Sequence, residues 1–152
     1  LGLRWESTPL AAIARGSSAG QALCLVKIPM AINHIGDGLK RLSESLSFSP
    51  AQCVLVYDDL DMLMGTVRAR TSGSAGGHRG VASILEAFQT DEFRRVKVGV
   101  GQAVANRKVS NYVLQMYSPQ DRLIVDSAMA IAVSRVLDMV KVHALYGQPK
   151  AP

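Results

Sequence analysis

Aromatic side chains are scarce, with three Phe, four Tyr and one Trp in the chain. A surface that grips nucleic acid through rows of stacked rings is therefore excluded, and contact with RNA has to run through phosphates and sugars. Cysteine is also sparse: Cys24 and Cys53 each sit inside an apolar run, too few and too far apart for a disulfide framework. They are expected to be two buried thiols in a reducing compartment. No apolar run approaches the roughly 18 residues a membrane helix requires, so no membrane partner is expected. The three histidines, His34, His78 and His143, are scattered, and no two have ligand spacing; no metal site is expected. Internal repeats and low-complexity tracts are missing. So is an initiator Met, since the chain opens on Leu1, which reads as a start inside a longer natural product.

What is present describes a globular domain. The chain has 152 residues, 48% hydrophobic and 19% charged, enough for one sizeable core, and residues 1–152 are read as a single domain. The net charge is +5, a moderate excess that suits an anionic partner such as nucleic acid.

Along the chain, helices and strands alternate. Leu1 to Trp5 reads as the end of a helix. Leu10 to Ala14 reads as a strand leading into a hairpin at Arg15–Gln21. Ala22 to Ile28 and Cys53 to Tyr57 are near-continuous apolar runs, the pattern of strands covered on both faces. Between them Ile35, Leu39, Leu42 and Leu46 mark one helix face, with Asn33 as N-cap. Gly36 and Gly38 in its first turn imply close approach of another backbone or a ligand. Thr66 to Arg70 and Arg95 to Val100 alternate as strands. Val81, Ile84, Leu85 and Phe88 form a second helix stripe, and Val109 to Leu114 follows a basic loop. Ser118-Pro119-Gln120-Asp121 is a strong helix start, running to about Leu145 with Gly147 as its stop. The alternation predicts an α/β fold around a mixed or parallel sheet, flanked by helices.

Chemistry concentrates between Tyr57 and Gly80. Asp58, Asp59 and Asp61 follow a strand directly. They read either as a solvated acidic turn or, for Asp58, as a partly desolvated carboxylate that orients a histidine. His78 follows Gly76 and Gly77 and opens a helix. It is either an exposed loop histidine or part of a site where backbone N–H groups meet a phosphate or an oxyanion. The Gly-Lys-Ser/Thr ending of a nucleotide-binding loop is absent. Arg68, Arg70, Lys97, Arg107 and Lys108 are either a solvated face or, as a set, phosphate contacts that position RNA without reading its sequence.

These residues carry a family resemblance. Pro29-Met30-Ala31-Ile32-Asn33, Tyr57-Asp58-Asp59-Leu60-Asp61, Gly76-Gly77-His78-Arg79-Gly80, Val98-Gly99-Val100-Gly101 and Val109 with Tyr112-Val113-Leu114 resemble, in order and spacing, the bacterial-type peptidyl-tRNA hydrolases. The resemblance implies a twisted mixed sheet flanked by helices. It also implies cleavage of the ester joining a peptide to the terminal ribose of tRNA, without metal or cofactor. By motif, Asn33 binds substrate and water near the ester, Asp58 orients the catalytic histidine, and His78 lines the cleft near the tRNA end. Gly76 and Gly77 supply the backbone loop, and Arg68, Arg70, Arg79, Lys97, Arg107 and Lys108 face tRNA phosphates.

Two departures stand out. The family's general-base histidine, in an Asn-Pro-Gly … Thr-Arg-His-Asn segment after the first strand, has no counterpart here, so a first strand is expected to be missing. Arg79 stands where the family usually has Asn, exchanging a short amide for a long donor-only cation. Two functions therefore compete. One is a peptidyl-tRNA hydrolase. The other is a non-catalytic relative kept as an RNA-binding or ribosome-associated subunit, with ribosomal RNA and ribosomal or assembly proteins as partners. The expected compartment is the mitochondrial matrix or a bacterial or organellar cytosol.

Overall fold

The computed structural model describes residues 3–18, 20–101 and 116–146. The chain divides into two compact units, one of Leu1–Cys53, Ser72–Phe93 and Val140–Pro152, the other of Val54–Thr71 and Arg94–Met139.

The first unit holds an antiparallel sheet of β1 (Trp5–Ser7), β2 (Ala12–Ser18) and β3 (Gln21–Lys27), in that spatial order. Of the segment Leu1 to Trp5 expected to end a helix, Leu1 and Gly2 lie outside the described residues, and Trp5 instead opens the strand β1, opposite Ala14. Thr8 makes the turn after it: its hydroxyl donates to the Ala11 carbonyl at 2.7 Å and accepts the Ala11 N–H at 3.0 Å. The β2–β3 hairpin is tighter than the spacing suggested. Ser18 pairs with Gln21, and Gly20 takes φ 77°, the left-handed geometry such turns demand. Ile13 and Val26 face each other across the hairpin and join Ala11 and Leu42 in a core flanked by Leu10, Ile28 and Phe48.

Two expectations about these strands are corrected. The run Ala22–Ile28 is not covered on both faces. β3 is an edge strand with Leu25 40% exposed, because an antiparallel hairpin buries one face only. Cys24 is exposed and Cys53 half-buried, so neither thiol is a core residue.

Helix α1 (Ile35–Leu46) forms as its periodicity predicts, burying Leu39 and Leu42. Its N-cap is His34, not Asn33, which lies inside a single 3-10 turn, Ile32–His34. The glycine expectation is borne out. A Cβ on Gly36 would collide with the Ser83 backbone of α2 (Arg79–Phe88), and the Gly36 N–H donates to Ser83 Oγ at 2.9 Å. A Cβ on Gly38 would meet Met30 Sδ at 2.6 Å. Both helices end on a non-glycine left-handed residue, Ser47 at φ 54° and Gln89 at φ 53°.

The second unit is a mixed sheet backed by a helix. Strands β4 (Val54–Asp59), β5 (Val67–Arg70) and β6 (Arg94–Gly99) lie in the order β4-β6-β5, with β4 parallel and β5 antiparallel to β6. Pleating sorts their side chains. Val54, Val67, Val96 and Val98 meet Ala128, Ala132, Val136 and Met139 of α3 (Pro119–Tyr146). Tyr57, Lys97 and Arg68 share one row of the opposite face, and Leu55, Arg95 and Arg70 another.

The alanines let α3 lie close to the valines, and Arg94 ties the layers by donating to the Met139 carbonyl at 2.7 Å. At the start of α3 the Ser118 hydroxyl accepts the Asp121 N–H at 3.1 Å and donates to its carboxylate at 2.8 Å, as the sequence foretold. β4 lies at the edge of this sheet, and Val56 is 49% exposed, so the second apolar run is not buried on both faces either. Arg95, on the strand face opposite Val96 and Val98, is nonetheless 1% exposed. Val109–Leu114 and Gly147 lie outside the described residues. The expected α/β architecture with a mixed sheet and flanking helices is borne out.

Candidate functional site

The glycine loop before α2 is shaped by backbone that few other residues adopt. Gly76 and Gly77 have φ 55° and 78°, and they swing the chain so that extended His78 heads the helix. Its imidazole is the cap: Nδ1 accepts the Val81 N–H at 3.1 Å. One of the N–H groups expected to face an anion is therefore already satisfied by the histidine itself. Gly80 is buried, and a Cβ there would meet Ile32 Cγ1 at 2.7 Å and His78 Cε1 at 3.1 Å. A side chain at 80 would push the imidazole and the 3-10 turn apart. The turn carrying Asn33 packs against α2, and Asn33 is exposed beside Ile32, which is 52% exposed. Asn33, Gly76, Gly77, His78 and Arg79 are thus gathered in the first unit, with Arg79 exposed in the first turn of α2.

In the second unit the acidic cluster sorts differently from expectation. Asp58 is exposed, sharing the alternation of exposed Val56 near the end of an edge strand. The desolvated carboxylate is Asp59, which points to the other face. Its Oδ2 meets Lys97 Nζ at 2.8 Å and its Oδ1 accepts the Asp61 N–H at 2.9 Å, with the two charged side chains 13% and 22% exposed respectively. Burial pushes the Asp59 carboxyl upward. The Lys97 hydrogen bond, the Asp61 N–H and the charges of Lys97 and Arg68 outweigh it and leave the carboxyl below its ordinary range. The bond to Asp59 holds Lys97 above its ordinary value against its own burial, with Tyr57 adding to the effect. Its ammonium also lies 5.7 Å from the Tyr57 ring centre.

Sequence reading named Asp59 only within the acidic cluster and Lys97 only as a solvated or phosphate-facing cation, and missed that the two form a sheltered ion pair. The strand alternation held the signal: Asp59 and Lys97 are a diagonal pair on adjacent strands. Arg68 and Arg70 are exposed on the edge strand β5, as expected. Arg107 and Lys108 lie outside the described residues. Among the described residues no three His, Cys, Asp or Glu side chains could hold a metal together, and no helix is long and apolar enough to cross a membrane.

Chemically, the first unit offers a histidine whose Nδ1 caps a helix, an exposed amide and a glycine loop. The second offers an exposed carboxylate and two exposed guanidinium groups. Comparison with known proteins agrees with the resemblance read from the motifs. The family model described as peptidyl-tRNA hydrolase matches residues 2–148. The chain is 39% identical over 119 residues to a peptidyl-tRNA hydrolase of Persephonella marina, covering 78% of this chain and 63% of that one. It is 34% identical over 110 residues to one from Sulfurihydrogenibium, covering 72% and 58% respectively. It thus spans less than two thirds of the length of either relative. Among solved structures, the peptidyl-tRNA hydrolase of Acinetobacter baumannii superposes with a TM-score of 0.85 at 26% identity, over 94% of this chain and 74% of its own. By motif, fold and family match, the chain belongs to the peptidyl-tRNA hydrolase family.

Proposed function

We propose that the protein containing this chain hydrolyses the ester of peptidyl-tRNA, releasing peptide and tRNA by attack of water on the ester carbonyl. The observation that carries this reading is the grouping of Asn33 with the Gly76–Gly77–His78 loop at the head of α2. The relatives it resembles bear the name of that activity. In this reading Asn33 holds the ester and the attacking water. The exposed carboxylate of Asp58 orients a histidine base supplied from outside these residues. Gly76 and Gly77 let backbone approach the reacting oxygen. Arg68, Arg70 and Arg79 steer tRNA phosphates, with Arg107 and Lys108 joining them. Neither metal nor cofactor enters the scheme. A cytosolic setting of the kind found in bacteria suits such a substrate.

The test is turnover of a peptidyl-tRNA by the intact natural protein, beside Asp58→Ala and Asn33→Ala. The reading expects turnover in the parent and losses on the order of 100-fold or more in both variants. An intact protein that binds tRNA but releases no peptide overturns it in favour of the non-catalytic RNA-binding subunit, for which the Arg79 substitution speaks.

A further inference from the structure

Pleating gives the second unit a strongly charged face. On the side of its sheet turned away from α3, β4 sets Leu55, Tyr57 and Asp59, β5 sets Arg68 and Arg70, and β6 sets Arg95 and Lys97. Asp59 is the one carboxylate that these strands place among those cations. Register puts Lys97 between Tyr57 on one side and Arg68 on the other. The cations differ in access. Arg68 and Arg70 are exposed on the edge strand, Arg95 is buried, and the Lys97 side chain is 22% exposed.

Asp59 is held as firmly as the cation it holds. Its Oδ1 accepts the Asp61 N–H at 2.9 Å, and its Oδ2 accepts from Lys97 Nζ at 2.8 Å. The carboxylate is thus anchored to the turn that follows β4 and does not follow the ammonium outward. For Lys97 to reach an RNA phosphate, it would have to leave a sheltered carboxylate without its partner, which is strongly unfavourable. A phosphate met at the protein surface gives less in exchange, since that contact stays in high dielectric. Charge counting agrees. A cation adds to RNA binding by replacing counterions condensed on the phosphates, and an ammonium neutralised by a carboxylate has no net charge with which to replace them. The flexible lysine stem makes the restraint reversible: once the carboxylate charge is gone, the same ammonium can swing outward.

We propose that Asp59 is a positioning residue that keeps Lys97 off the RNA backbone, so that this face meets tRNA phosphates at its β5 edge, through Arg68 and Arg70. That the occupant is tRNA rests on the function proposed above. The charge of Asp59 then limits the affinity of the face and fixes the line along which the backbone lies.

The test is binding of uncharged tRNA to the intact natural protein, by filter binding across salt concentrations. Asp59→Asn keeps the Oδ1 acceptor for the Asp61 N–H and removes the charge. It should steepen the fall of log affinity with log salt by about 0.7–0.9, the increment of one added phosphate contact. Removing the pair whole, with Asp59→Asn and Lys97→Met together, should restore the slope of the parent. A purely structural pair lowers the melting temperature of Asp59→Asn without moving its slope, and that result overturns the proposal. So does a double variant shallower than the parent by about 0.7–0.9, because Lys97 then already holds a phosphate. A double variant that stays steeper overturns it too, because loss of the carboxylate then acts without Lys97. Should Asp59→Asn fail to fold, the double variant decides, since neutral replacement of a whole pair is tolerated where breaking it is not. Arg68→Ala separates this proposal from the reading beneath it. An unchanged slope there removes tRNA from the face and sinks both. A protein that shows the expected slopes yet releases no peptide sinks only the hydrolase reading.

Discussion

At the scale of single residues, the decisive feature is which of two neighbouring aspartates is sheltered. The motif singled out Asp58, whereas pleating and the register with β6 make Asp59 the sheltered carboxylate with a 2.8 Å partner in Lys97. Removing one side of a hydrogen-bonded, largely buried charge pair costs about 1.5–3 kcal/mol. Asp59→Asn should lose that amount in denaturant unfolding at neutral pH, with Lys97→Ala close to it. The sign follows from the shifts. Asp59 is held below its ordinary 3.8, so its contribution is complete above that value and fades as pH falls through the lower folded value. Lys97 is held above 10.5, so its contribution is complete below that value and fades only as pH rises through the folded one. Parent and Asp59→Asn should therefore converge in stability in strong acid, and a gap that persists there would mean the pair is not its origin. That the pairing of Asp59 was not foreseen has a plain cause. A run of carboxylates shows which residues are acidic, but only a partner strand more than 30 positions downstream decides which one is paired.

At the scale of elements, the helices and most strands were legible because each carries its period locally. The Ile35–Leu46 stripe and the Ser118–Asp121 start are sufficient in themselves. The covering of strands was not legible. Ala22–Ile28 and Cys53–Tyr57 look alike in sequence, yet one is an antiparallel hairpin arm and the other the parallel edge of a mixed sheet. A short apolar run does not reveal which strand will pair with it. Asn33 was misplaced by one residue as a cap because a 3-10 turn precedes the helix. The glycines were the better guide, since Gly36 abuts the Ser83 backbone as its position implied. Gly36→Ala should destabilise by about 1–3 kcal/mol through forced separation of α1 and α2, read as a lower melting temperature with helix content retained. The helix end at Ser47 offers the opposite outcome. With φ 54°, Ser47→Gly should stabilise by up to about 1 kcal/mol, measurable by denaturant midpoint without change in slope.

At the scale of the whole molecule, the charge excess has a measurable footprint. If Arg68 and Arg70 meet tRNA phosphates, each change to Ala should flatten the dependence of log affinity on log salt by about 0.7–0.9. Filter binding or fluorescence titration of the intact protein across salt concentrations measures it. Lys97→Ala should flatten it less, because Asp59 already neutralises that ammonium. Whether α3 faces a partner was not legible at all: Leu123 and Val133 are 70% and 53% exposed, and apolar composition alone does not name what meets them. The position of β6 between two strands has a further consequence. Its neighbours lie on both sides, and Val96 and Val98 are 0% and 5% exposed, whereas β1 is three exposed residues at a sheet edge. Amide protons on β6 should trade with heavy water only through global opening, while those of β1 escape by fraying. Exchange mass spectrometry should therefore find a molecule that dissolves from Trp5 inward and yields its central valines last.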